Sequence, residues 1–188
     1  MGGARFTVSA IAKIASGKTW TGKVSYLPEG DENLEGSMTP ATDRNSVPDI
    51  KQKGPSVQYL PSLLADALPP TWKTIDGQFG LFWAMNVTHA ASDALVCPGA
   101  EMDDGYNYLV MIEGPVGRCT MTSLLLGLET GAHLKNKKVS VIKTKAYQLE
   151  TRRNTDLMSV DGELFKTSTV QVEVHNHLAN VMCMKIQR

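Results

Sequence analysis

Most of the chain carries the apolar patterns of β-strands rather than those of helices. Three segments rich in aromatic and β-branched residues are predicted strands: KTWTGKVSYL (18–27), FGLFWAMNVTH (79–89) and YNYLVMIEG (106–114). The second is so continuously apolar that we expect both of its faces to be covered. Two more β regions are predicted toward the C-terminus, in KVSVIKTKAYQLET (138–151) and HLANVMCMKIQ (177–187).

Two segments have helical spacing instead. Near the N-terminus, apolar residues recur on one helical face as far as Ile14, and Gly17 suits a C-cap. The segment GRCTMTSLLLGLETGAHL predicts a second helix that stops at Gly131, with His133 just beyond it. Its apolar stripe, which is typical of a core-facing helix, is formed by Met121, Leu124, Leu125 and Leu128.

A tight hairpin with an extra carboxylate is predicted in the stretch SVDGELF. Asp161 and Gly162 tolerate the positive φ that a two-residue turn requires. Turn chemistry does not explain Glu163, which places a second carboxylate beside the first. In the strand that follows, valines alternate with polar residues between positions 169 and 174, which predicts a sheet with one face in water.

These elements define the fold class. About seven strands and two helices, without regular βαβ alternation, predict a mainly β (α+β) fold, an antiparallel β-sandwich with inserted helices. A length of 188 residues suits a single domain, 1–188. Residues 28–56 are polar and rich in Pro and Gly, so we predict a disordered insertion that cannot bury enough apolar surface to offset its ordering entropy.

Composition and motifs argue against several classes of protein. Lys plus Arg and Asp plus Glu each number 19, so the net charge is zero and general nucleic-acid binding is not expected. Three cysteines without a CxxC pair favour a reducing compartment. His175 and His177 have no further Cys or His spaced to complete a zinc set. No metal site and no catalytic constellation is predicted.

Four stretches, in order, resemble the sphingosine kinases. RFTVSAIAKIASGKTWTGKVSYLP is similar to that family's Arg-Phe-Thr helix and the strand that ends in Tyr-Leu-Pro. CPGAEMDDGYNYLVMI matches a turn shared with diacylglycerol and ceramide kinases. EGPVGRCTMTSLLLGLETGAHL resembles the helix that ends in a histidine turn, and SVDGELFKTSTVQVEVHNHLANVMC resembles the closing hairpin. Outside residues 28–80, the resemblance therefore implies the C-terminal domain of the diacylglycerol kinase-like lipid kinases.

The resemblance also implies roles for individual residues. Arg5 is implied to contact ATP phosphate, where a rigid guanidinium fork matches the oxygens. Asp161, Gly162 and Glu163 are implied to lie near the nucleotide and to act through Mg²⁺ or water. An apolar tunnel is implied for the sphingoid tail, and its implied lining residues are Phe6, Met121, Leu124, Leu128 and His133.

One family feature has no counterpart in this sequence. The Gly-Asp-Gly loop, whose Asp the resemblance implies as general base, is missing. We therefore expect the C-terminal part of an ATP-dependent sphingosine kinase that is inactive without a separate N-terminal kinase domain. Its expected partners are the sphingoid-base substrate and a peripheral membrane surface in the cytoplasm. A diacylglycerol or ceramide kinase fragment and a non-catalytic lipid-binding module are the alternatives.

Overall fold

The fold is described by a computed structural model over residues 19–30, 59–61, 67–153 and 158–179. These ranges contain ten β-strands, one α-helix and one 3-10 helix. The strands are β1 (Trp20–Tyr26), β2 (Lys73–Met85), β3 (His89–Ala91), β4 (Ala94–Leu95), β5 (Asn107–Glu113), β6 (Val139–Thr144), β7 (Ala146–Thr151), β8 (Met158–Val160), β9 (Glu163–Phe165) and β10 (Thr169–Glu173). The helix α1 spans Arg118–Leu126, and the 3-10 helix spans Ala132–Lys135.

Six of the strands form one sheet with the order β10-β7-β1-β2-β5-β6. Every neighbouring pair in it is antiparallel. The strands β3 and β4 form one separate hairpin, and β8 and β9 form another. The prediction of a mainly antiparallel β fold is therefore confirmed.

A bulge in the central strand β2 reverses which side of the sheet its alternate side chains occupy. Its register with β5 shifts between Phe79 and Leu81, so Gly80 is the extra residue. As a result, Phe82 packs in the same core cluster as Phe79 although three positions separate them. Trp83 packs in a second cluster on the opposite side of the sheet. We refer to these two sides as the Phe79 face and the Trp83 face.

The two faces differ in chemistry. The Phe79 face carries a continuous apolar core whose buried members are Val24, Phe79, Leu109, Met111 and Tyr147. The Trp83 face is apolar only along β5, β6 and the second half of β2, where α1 covers it. Across β7 and β10 the same face is polar, and Gln171 donates to Gln148 at 2.6 Å. The Trp83 face is therefore divided into an apolar half, covered by α1, and a polar half.

Two predicted boundaries were wrong. The helix α1 ends at Leu126 with Gly127 as its C-cap, well before the predicted stop at Gly131. Gly131 instead has φ of 74° and precedes the 3-10 helix, so its backbone freedom serves a second, tighter turn. The strand β2 begins at Lys73 rather than Phe79, because its polar first half pairs with β1.

The predicted wet face of β10 was also wrong. Gln171 and Glu173 are partly buried rather than exposed. The Glu173 carboxylate accepts hydrogen bonds from the backbone nitrogens of Tyr59 and Leu60, at 2.8 and 3.1 Å. An earlier segment thus covers the polar side of this strand. The predicted N-terminal helix, most of the insertion 28–56 and the last strand from position 180 onward lie outside the described residues.

Gly22 and Gly77 lie directly opposite each other in β1 and β2 and offer a matched test of the sheet. A Cβ at Gly22 would come within 2.0 Å of the Glu150 carbonyl oxygen in β7, whereas a Cβ at Gly77 would meet nothing within 4 Å. We expect Gly22→Ala to lower the free energy of unfolding by about 2 kcal/mol or more, because a backbone atom cannot move aside.

The control, Gly77→Ala, should be neutral or slightly stabilising, since alanine loses less entropy than glycine on folding. Urea denaturation of the two variants provides the comparison. Equal stabilities would show that β1 and β7 do not approach each other as closely as the structure indicates.

Candidate functional site

The helix α1 is held in place by packing rather than by its own ends. Its N-cap is Gly117, which makes no side-chain capping hydrogen bond, and its first turn contains no acidic residue. Capping and charge each stabilise a short helix, and nine residues alone are too few for one to persist in water. Leu124, which is only 5% exposed, anchors the helix to the Trp83 face.

A small apolar cavity lies between α1 and the Trp83 face. Its volume is about 10 Å³, the space of one water molecule. The helical side contributes Met121, Leu124, Leu125, Leu128 and His133. The sheet contributes Leu81, Trp83, Val110, Ile112 and Val139. In this structure the cavity therefore has room for no more than a single terminal group.

The four predicted tunnel residues that the structure describes meet at this cavity. Met121, Leu124, Leu128 and His133 all line it. The five sheet residues were missed, although period-2 alternation in β2 and β5 carries a signal for them. That signal assigns these residues to the cavity side only when the Gly80 bulge and the strand pairing are already known. Phe6, the fifth predicted member, lies outside the described residues.

His133 is the polar exception in the apolar wall. Its side chain is buried, with 5% of the residue exposed, and its Nε2 lies 2.9 Å from the Val96 carbonyl oxygen. Within the described part of the chain, its Nδ1 has no hydrogen-bond partner. Gly131 permits this approach, because a Cβ there would come within 2.9 Å of the Pro98 ring. The cavity wall thus contains a fixed, incompletely paired imidazole.

The predicted Asp-Gly turn is present in the β8–β9 hairpin. Asp161 has φ of 49° and Gly162 has φ of 88°, and Val160 pairs with Glu163 across them. Positive φ at both central residues is typical of a type I′ turn. The side chains of Asp161 and Glu163 are exposed. Two carboxylates are therefore presented to solvent on this turn, while Arg5 lies outside the described residues.

Asp104 fixes the loop before β5, which the sequence predicted to be a turn. Its Oδ1 accepts the backbone N–H of Tyr106 at 3.0 Å, and its Oδ2 accepts the hydroxyl of Tyr108 at 2.5 Å. The Lys143 ammonium lies 3.9 Å from the same carboxylate and 4.2 Å from the Tyr106 ring centre. Burial, together with the bond to Asp104, raises the pKa of Tyr108, so this hydroxyl stays a donor.

The comparison with protein families decides the family of this chain. A family described as the YegS C-terminal NAD kinase beta sandwich-like domain matches residues 71–183. The chain belongs to this family. The YegS-type domain thus includes most of the six-stranded sheet, both hairpins, α1 and the cavity described above. A β-sandwich-like description agrees with the predicted fold class.

Curated relatives of this chain include proteins named as kinases of sphingosine or of sphingoid bases. Sphingosine kinase 1 of Rattus norvegicus is 31% identical over 178 residues, which are 93% of this chain and 44% of the relative. Sphingosine kinase 1 of Homo sapiens is 29% identical over 178 residues, which are again 93% of this chain and 44% of the relative. Sphingoid long chain base kinase 5 of Saccharomyces cerevisiae is 28% identical over 73% of this chain and 20% of its own length. The chain thus spans less than half the length of these relatives.

The described ranges contain neither a metal-binding cluster nor a helix able to cross a membrane. No group of three or more His, Cys, Asp or Glu side chains gathers there as a metal-binding cluster. Among the described helices, none has the length and apolar character to cross a bilayer. Neither the His175 ring, which lies 3.3 Å from Glu173, nor the exposed turn carboxylates belong to such a cluster.

Leu124 and Leu126 provide a matched test of how α1 is held. Leu124 is 5% exposed in the cavity wall, whereas Leu126 is 76% exposed two positions later. We expect Leu124→Ala to lower the free energy of unfolding by about 2–5 kcal/mol, because it removes buried methyl groups and enlarges the cavity. Leu126→Ala should change it by less than about 0.5 kcal/mol.

Urea denaturation of the ligand-free chain, followed by circular dichroism, measures both variants. Equal, small losses of unfolding free energy in both variants would mean that α1 does not pack on the sheet through Leu124. The description of α1 as a wall of the cavity would then be wrong.

Proposed function

We propose that this YegS-type domain is the lipid-binding half of a kinase that transfers the γ-phosphoryl group of ATP to a sphingoid base. The observation that carries the proposal is the cavity under α1, whose lining includes four residues for which the resemblance to sphingosine kinases implies a role in a lipid tunnel. It is supported by 31% identity to a sphingosine kinase over 93% of this chain. A nucleic-acid partner is not part of the proposal, since the net charge is zero.

The lipid side of the proposal depends on how an apolar chain could be bound. Aliphatic side chains from two layers, such as Leu81 from β2 and Leu128 beyond α1, surround the same space. An alkyl tail inserted there would be removed from water. Each buried methylene group would contribute about 0.8 kcal/mol of favourable binding free energy. The ends of α1 lack capping side chains, whereas the Phe79 face carries a continuous apolar core, which favours the helix as the part that moves. The helix is therefore the proposed movable wall of the lipid site.

The nucleotide side of the proposal lies at the β8–β9 turn. Mg²⁺ prefers carboxylate oxygens, keeps several waters and binds nucleotide phosphates, so exposed Asp161 and Glu163 fit it chemically. When bound, the ion would neutralise charge on the transferred phosphoryl group. Gly162 would hold both carboxylates at the turn through its φ of 88°. Arg5 remains a proposed phosphate contact.

The complete site is proposed to need a second domain. Phosphoryl transfer depends on positioning from several sides, and the described residues contain no cluster able to hold a metal alone. The longer relatives have room for a further kinase domain, since this chain spans 44% of the rat protein. A sphingoid substrate resides in membranes, so we also propose peripheral association with a cytoplasmic membrane surface.

The test uses a chimera in which this chain replaces the matching segment of the rat sphingosine kinase. We expect transfer of labelled phosphate from ATP to sphinganine, and we expect Glu163→Gln to lower kcat/KM by about 10- to 100-fold. The reason is that the amide keeps the shape of the side chain but removes the charge that orders Mg²⁺ or nucleotide. The melting temperature should not change, because Glu163 is exposed.

Two controls separate charge from geometry. Glu129→Gln removes a carboxylate from another exposed position, outside the β8–β9 turn, and should leave the kinetics unchanged. Gly162→Val places a β-branched residue at φ of 88°, so melting temperature and activity should fall together. If Glu163→Gln leaves kcat/KM unchanged, the proposed role of the turn in nucleotide binding is wrong.

The choice of lipid substrate is tested in the same chimera. Sphinganine, diacylglycerol and ceramide are offered separately as acceptors. Phosphorylation of diacylglycerol or ceramide but not sphinganine would replace the sphingoid-base proposal with one of its alternatives. A chimera that binds lipid but phosphorylates none of the three would favour a non-catalytic lipid-binding module.

A further inference from the structure

The hydrogen-bonding state of His133 follows from the hydrogen bond of its Nε2. Its Nε2 lies 2.9 Å from the carbonyl oxygen of Val96, a residue with no exposed surface. A carbonyl oxygen only accepts hydrogen bonds, so Nε2 must carry the proton. In the neutral ring the other nitrogen, Nδ1, is then a bare acceptor. The fold therefore selects both the tautomer and the atom left over.

Within the described ranges, that acceptor has no partner and few ways to gain one. Among the described residues, nothing donates to Nδ1, and the ring forms part of the cavity wall. Apart from Trp83, the other wall residues are aliphatic or thioether side chains. A buried water molecule usually needs two to four polar partners, which this wall does not offer. Water is thus a poor partner for Nδ1.

We infer that His133 is a specificity-determining residue whose Nδ1 accepts a hydrogen bond from a hydroxyl group carried along the apolar chain of the ligand. A plain alkyl chain would bury Nδ1 without a partner, whereas a hydroxylated chain would satisfy it. Sites with a buried polar group discriminate strongly against ligands that lack the matching group. The cavity, about 10 Å³, already has the size of one such terminal or branching group.

The inference deepens the proposed function and rests on it, because both concern the cavity under α1. Its test nevertheless needs no phosphoryl transfer, so the two can fail separately. Hydroxyl selectivity in a protein that phosphorylates no lipid would leave the inference intact and remove the kinase proposal. Phosphorylation of sphinganine without any hydroxyl selectivity would leave the kinase proposal intact and overturn the inference.

The binding experiment compares stearic acid with its monohydroxy isomers on the full 188-residue chain. The isomers carry the hydroxyl at successive mid-chain positions or at the terminal carbon, and dissociation constants are measured by displacement of a fluorescent fatty acid. We expect at least one isomer to bind about tenfold more tightly than stearic acid. In His133→Phe that preference should disappear, while stearic acid binds at least as well as before.

A conservative variant and a spectroscopic signal make the test specific to the acceptor. His133→Gln offers an amide N–H for the Val96 carbonyl and an amide oxygen for the ligand, so it should keep part of the preference. In the wild-type chain, proton–nitrogen NMR of labelled histidine should show the Nδ1 resonance of His133 move with the preferred isomer and not with stearic acid.

The NMR titration uses the unmodified chain, so the inference can be judged even if His133→Phe does not fold. Equal affinities for all the acids, failure of every acid to bind, or a preference without movement of the Nδ1 resonance would each overturn the inference. A preference that persists in His133→Phe would assign the hydroxyl contact to another residue and would overturn it as well.

Discussion

The bulge at Gly80 determines which side chains the central strand gives to each layer of this domain. Side chains alternate along a strand, so one extra residue inverts every position after it. Because of that inversion, Phe82 reaches Trp20 on one face, with ring centres 6.3 Å apart, while Leu81 and Trp83 join the cavity wall on the other. A regular strand would exchange these roles. The aromatic core and the cavity therefore depend on the same local irregularity.

The two sides of the sheet consequently differ in what covers them. On the Phe79 face, Trp20 stacks on Phe79 with ring centres 4.5 Å apart, a contact worth about 0.5–1.5 kcal/mol beyond its buried area. On the Trp83 face, the covering helix lacks capping side chains and is anchored through Leu124. One layer is therefore packed through stacked aromatic rings, and the other through a short helix that contacts the sheet with buried Leu124.

Local patterns predicted the elements well and their assembly less well. The Asp161-Gly162 turn, β1 and the stripe of α1 were predictable because turn chemistry and periodicity act over a few residues. The stop of α1 was misplaced, because a second tight turn at Gly131 is equally consistent with a glycine signal. The sheet residues of the cavity were missed, since their orientation depends on pairing with a distant strand. The hydrogen bond between His133 and the Val96 carbonyl was also missed, since no periodicity connects these two residues.

Trp83 gives this cavity a property that the other walls lack. An indole ring that lines the space beside α1 absorbs and emits light, and its emission responds to the polarity around it. Trp20 is stacked on Phe79 on the opposite face, and Trp72 belongs to a third cluster with Leu27, so both are separated from the cavity. A chain in which only Trp83 is retained would therefore report filling of the cavity as an optical signal, without any attached label.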